Sequence, residues 1–68
     1  MVLETPKSSN VARLIHENDR LTVVFKSRDC YEYYGVSEEL FKEAFHVDSI
    51  GRWASARIKG KFPCRRIK

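Results

Sequence analysis

No uninterrupted apolar run in this chain is longer than three residues, as at Val23-Val24-Phe25. A helix that spans a bilayer needs about 20 predominantly apolar residues, so no membrane segment is expected. Residues 1–9 lack the apolar core of a secretory signal, and the expected location is the cytoplasm. Cysteine is scarce: Cys30 and Cys64 stand alone and in no CxxC spacing, which excludes a disulfide framework or a redox pair. Each is expected to be a reduced, buried or half-buried thiol. The three glycines form no glycine-rich loop, so nothing of the phosphate-cradling type is present. Residues 49–68 contain no acidic side chain at all.

That last absence exposes the strongest feature present. Residues 49–68 carry seven basic side chains, whereas residues 1–48 carry six basic and nine acidic ones. Charge segregated in this way makes a local positive field that selects polyanions. Arg52, Arg57, Lys59, Lys61, Arg65 and Arg66 are the candidate contacts, and lysine and arginine bind phosphates with salt-sensitive affinity and little sequence preference. The alternative is a solvated, solubilising surface.

At 68 residues, with 43% apolar content, the chain makes one small folded domain. Residues 1–7 read as a flexible lead-in, 8–62 as the domain and 63–68 as a basic tail. Residues 11–16 are short and rich in Val, Leu and Ile, and Asn18-Asp19 supplies turn chemistry. Residues 21–26 alternate, with Leu21, Val23 and Phe25 on one face, and residues 30–35 form a third strand. Ser37 is a fitting N-cap for a first helix ending near His46-Val47, with Glu38 and Glu39 at its positive end. A second helix runs from residue 48 or 49 to 59, and Gly60 terminates it. The expected fold is α+β: a three-stranded antiparallel β-meander followed by two helices packed on one face.

A three-residue loop at residues 27–29 sets Phe25 opposite Tyr31 and Val23 opposite Tyr33 on the buried face; a one-residue slip buries Tyr34 and Val36 instead. In the first register Tyr31 and Tyr33 belong to the core, and Tyr34 is the exposed ring able to stack on an unpaired base. Trp53 sits on the apolar side of the second helix, as a core anchor. Cys30, Cys64, His16 and His46 match no compact ligand spacing, so no metal is expected. Nothing marks a Cys–His pair as an activated nucleophile, so neither catalytic residues nor a cofactor is expected.

Several stretches together resemble the KTSC family of small bacterial and phage domains, a copy of which is fused to the C-terminus of some lysyl-tRNA synthetases. They are Ser8-Ser9-Asn10-Val11, Leu21-x-Val23-x-Phe25-x-Ser27, Tyr31-Glu32-Tyr33 continuing as Tyr34-Gly35-Val36, Ser49-x-Gly51-Arg52, and Ile58-x-Gly60-x-Phe62-Pro63-x-Arg65-x-Ile67. The chain departs from the pattern at Ile15-His16-Glu17, where relatives often read Gly-Tyr-Asp, and at Trp53-Ala54-Ser55, where they often read Tyr-Phe-Asn. The resemblance implies RNA binding. With the basic end, it makes a non-enzymatic RNA- or nucleic-acid-binding domain the leading expectation, with Tyr34 beside the six cations. The alternative is a protein-interaction adaptor or phage accessory module, as a monomer or as a weak homodimer paired through residues 11–16 or 30–35.

Overall fold

Asn18 and Asp19 both adopt left-handed backbone, with φ of 52° and 59°, and close a two-residue hairpin whose twist matches the strands it joins. Around this turn the computed structural model, which describes residues 1–67, builds a single antiparallel sheet. Its strands are β1 (Val2–Glu4), β2 (Val11–Glu17), β3 (Arg20–Phe25), β4 (Cys30–Tyr34) and β5 (Cys64–Arg66), in that spatial order. Helix α1 (Glu38–Glu43) and helix α2 (Ile50–Trp53), which continues as a π-helical turn over Ala54–Ile58, lie between β4 and β5.

The fold is therefore not a three-stranded meander followed by two helices. It has five strands, the last of them after the helices. The two additional strands lie in the segments read as lead-in and tail; Lys68 lies outside the described residues. β1 and β5 are three residues long and lack an alternating apolar pattern, so they are held by their neighbours and not by local preference. Leu3 pairs with Leu14 on β2, and Arg65 pairs with Glu32 on β4. The Ile67 N–H extends the β5 ladder by donating to the Cys30 carbonyl at 2.9 Å. Residues 11–16 and 30–35 consequently form internal strands, and the free edges belong to β1 and β5.

The β3–β4 register places Val23 opposite Tyr31 and Leu21 opposite Tyr33, two residues from the expected pairing. The loop does have three residues, but they are 26–28: the Phe25 N–H donates to the Asp29 carbonyl at 2.9 Å, and Arg28 takes a φ of 78°. A shift of two preserves side-chain parity. Tyr33 therefore still faces the core, and Tyr34 the opposite side.

The helices cover one sheet face. Val11, Leu14, Leu21, Val23 and Tyr33 from the sheet meet Val36, Phe41, Ala44, Trp53 and Ile58. His16 completes this layer: its ring stacks on Phe41 with centroids 5.1 Å apart, and its Nε2 lies 2.7 Å from the Val36 carbonyl oxygen. Ser37 caps α1 by accepting from the Leu40 N–H at 3.1 Å, and Ser49 caps α2 by accepting from the Arg52 N–H at 3.2 Å. The first helix is shorter than expected, since after Glu43 the chain tightens into turns in which Phe45 and His46 donate to carbonyls three residues back.

The π-helical turn has a packing cause. With about 3.6 residues per turn, a regular α-helix points residues five apart to different sides. Trp53 and Ile58 are five apart and both buried. Widening the turn, so that the Lys59 N–H donates to the Ala54 carbonyl at 2.8 Å, brings both side chains to the core. Gly60 then reverses the chain at φ 76° into β5.

Candidate nucleic-acid interface

The seven expected contact residues divide between the two sides of the sheet. Tyr34 and Arg65 project from the uncovered face, where Glu32 is a hub. Its carboxylate accepts from the Tyr34 hydroxyl at 2.6 Å and lies 3.7 Å from Arg65 and 3.9 Å from Arg20. Tyr34 is thus tied down by its own strand and is half-buried, not a free stacking ring. Its hydroxyl pKa is raised, first because the hydroxyl donates to Glu32. Arg57 forms two hydrogen bonds of 3.0 Å to Glu43, whose carboxylate also accepts from the Trp53 indole N–H at 3.4 Å. Arg66 lies 2.8 Å from Asp29. Three of the six candidate cations therefore have a carboxylate supplied by the acidic part of the chain.

The other three do not. Among the described residues Arg52, Lys59 and Lys61 form no ion pair, and all three are exposed. They follow one another along the chain at the helical side of the fold: Arg52 on α2, Lys59 just after the π-helical turn, Lys61 in the turn before β5. None of the three is held by a direct ion pair, although Asp48 shares a depression with Arg52 and Asp29 lines the cleft with Lys59; at exposed positions such charges act over about a Debye length of 8–10 Å.

This side borders a cleft of about 450 Å³ between the sheet and the π-helical turn. Phe25, Tyr31 and Tyr33 form its floor, with Asn10, Ser55 and Lys59 among the groups at its walls and mouth. Phe25 and Tyr31 meet edge to face, with ring centroids 5.9 Å apart. Through Asn10, Gly51 and Ser55 the cleft continues into a shallow depression that contains Arg52. Gly51 allows that passage: a Cβ there would stand 3.3 Å from the Asn10 Oδ1. Burial raises the Tyr33 hydroxyl pKa, with smaller contributions from Cys64 and Tyr31, so this phenol stays a neutral donor.

Sequence reasoning did not single out Asn10, Tyr31 or Ser55 as site residues. The available signal was that Ser9-Asn10, Ser49-x-Gly51 and Ser27 belong to the quoted motifs without filling a core position. In the fold these motif residues line the cleft or the depression that continues it. His16 and Cys30 do not meet: His16 is buried beneath the helices, while Cys30 projects from the uncovered face.

Comparison with known proteins agrees with this architecture. The family model described as KTSC domain matches residues 7–62. The crystal structure of a KTSC domain protein from Yersinia pestis superposes with a TM-score of 0.85 at 31% sequence identity, covering 100% of both chains. No curated protein sequence matches significantly. Among the described residues no helix is long and apolar enough to cross a membrane.

Proposed function

The chain belongs to the KTSC domain family, and we propose that within it this protein is a non-enzymatic cytoplasmic domain that binds nucleic acid, RNA foremost, largely without sequence preference. One observation carries this proposal: Arg52, Lys59 and Lys61, in the second helical segment and the turn that follows it, are exposed with no ion-pair partner among the described residues, while Arg57, Arg65 and Arg66 have one. Three exposed cations of this kind are suited to phosphates. Binding of this kind is driven by counterion release and requires no cofactor.

Fluorescence anisotropy with labelled single-stranded RNA and duplex DNA, from low to physiological salt, tests this. Three phosphate contacts give a log–log salt slope of about −2 on a single strand. Absence of binding at low salt, or binding indifferent to salt, contradicts it. The uncovered sheet face, with half-buried Ile15 and Val24 and exposed Ile67, supports a second reading as a protein-interaction adaptor. A specific protein partner that survives nuclease treatment, with no binding to either probe, favours that reading.

A further inference from the structure

We propose that the cleft between the sheet and the π-helical turn receives one unpaired nucleobase of the bound strand. This rests on the nucleic-acid reading above and assigns it a second kind of contact, to a base and not to phosphate. The first support is an unused polar set. Tyr33 is only 8% exposed, yet its hydroxyl has no protein partner among the described residues. No buried side-chain N or O there lacks a hydrogen bond, so the Tyr33 hydroxyl must open onto the cleft it lines. That hydroxyl is open to water, so a ligand entering the cleft can take the place of water as its hydrogen-bond partner. The Asn10 carboxamide is engaged only through its oxygen, which accepts a long 3.4 Å bond from the Ser8 hydroxyl; its amino group and the Ser55 hydroxyl are free among the described residues. Together these groups offer donors and acceptors of the kind that a base edge pairs with.

The second support is the floor. Phe25 and Tyr31 are half-buried rings beside the polar set, giving an aromatic surface on which a planar heterocycle can pack. A volume of about 450 Å³ lies within the roughly 300–1,000 Å³ of ordinary ligand clefts and exceeds the needs of a water or an ion. The third support is charge. Lys59 stands in the wall of the cleft and Arg52 in the depression continuing from it, so a base inserted between them leaves its flanking phosphates near cations. The wall itself is the π-helical turn, a conformation concentrated at functional sites.

The test compares a short oligouridylate with an abasic ribose-phosphate strand of equal length, on wild type, Ser55→Phe and Tyr31→Leu, with folding checked by circular dichroism. Ser55 is exposed, so a phenyl group there fills the cleft without entering the core. A second arm titrates uridine and adenosine monophosphate and follows backbone amide shifts. Base insertion gives an advantage of about tenfold or more for the strand that carries bases. Ser55→Phe and Tyr31→Leu reduce RNA affinity to the abasic level, and mononucleotides shift the amides of Tyr31, Tyr33 and Ser55. Equal affinity for both strands, unchanged in the two variants, overturns the cleft assignment and leaves the phosphate edge standing. Mononucleotide shifts at the cleft without strand binding support the cleft and overturn the phosphate edge. Silence in both arms overturns both.

Discussion

The two faces of the sheet use charge in opposite ways. On the uncovered face Glu32 lies close to Arg20, Arg65 and Tyr34, and Glu4 stands 3.2 Å from Arg13. Cations there are matched strand by strand, and the surface between them holds half-buried Ile15, Thr22 and Val24. On the covered side the charges lie at the rim of the helical layer. There Arg57 is held by Glu43, while Arg52, Lys59 and Lys61 form no ion pair among the described residues. A count of charge along the chain treats these cations as one surface. Pairing in space separates a structural set from a set still available to a ligand.

That contrast can be broken first by stability. Phe41 is fully buried, stacks on His16 and meets Phe45 edge to face. Phe41→Ala is expected to cost ~3–5 kcal/mol, a large part of the whole stability of so small a domain. Val24→Ala, on the uncovered face, should stay within about 1 kcal/mol. Urea midpoints compare the two, and similar losses would mean that the uncovered face is also a packed layer. A smaller effect is expected at Glu43, which joins α1 to the π-helical turn through Arg57 and the Trp53 indole. Glu43→Gln keeps one acceptor and should cost about 1 kcal/mol. It also frees Arg57 beside the other three cations, so RNA affinity at low salt should rise although stability falls. The smallest effect is at high pH. The Tyr33 hydroxyl pKa in the fold lies above the ordinary value of about 10, so the unfolded chain loses that proton first. Its contribution is complete below pH ~10 and declines as pH rises towards the folded value. Tyr33→Phe should flatten that decline in a urea titration.

Where structure followed from local pattern, the sequence was legible. The alternation of Leu21, Val23 and Phe25, the Asn18-Asp19 turn and the Ser37 cap each follow from a few neighbouring residues, and all are present in the fold; the second helix, expected to begin at residue 48 or 49, begins at Ile50 with Ser49 as its cap. The faces of Tyr33 and Tyr34 depended on which of two registers the hairpin took; the loop closed one residue early and moved the register by two, which keeps the parity of the register with Tyr33 in the core. What escaped was non-local. β1 and β5 are three-residue edges whose partners lie elsewhere in the chain, and Arg65 stands in a strand opposite Glu32. The π-helical turn is set by the need to bury both Trp53 and Ile58, a tertiary demand that leaves no mark in helical periodicity. The same limit applied to the site. The six cations and Tyr34 could be named from composition, but which of them already have carboxylate partners depends on Glu32, Glu43 and Asp29 arriving from distant segments.

The central claim is that available charge, not total charge, makes the interface. Its most direct test is the RNA affinity of two variants with equal change in net charge: Arg52→Glu/Lys61→Glu on the helical edge, and Arg65→Glu/Arg66→Glu on β5. Measured by anisotropy across a salt series, the helical-edge pair should lose at least tenfold affinity at low salt and flatten the salt slope by about two phosphate contacts. The β5 pair should lose less and keep more of the slope. Equal losses, or a larger loss in the β5 pair, would contradict the account.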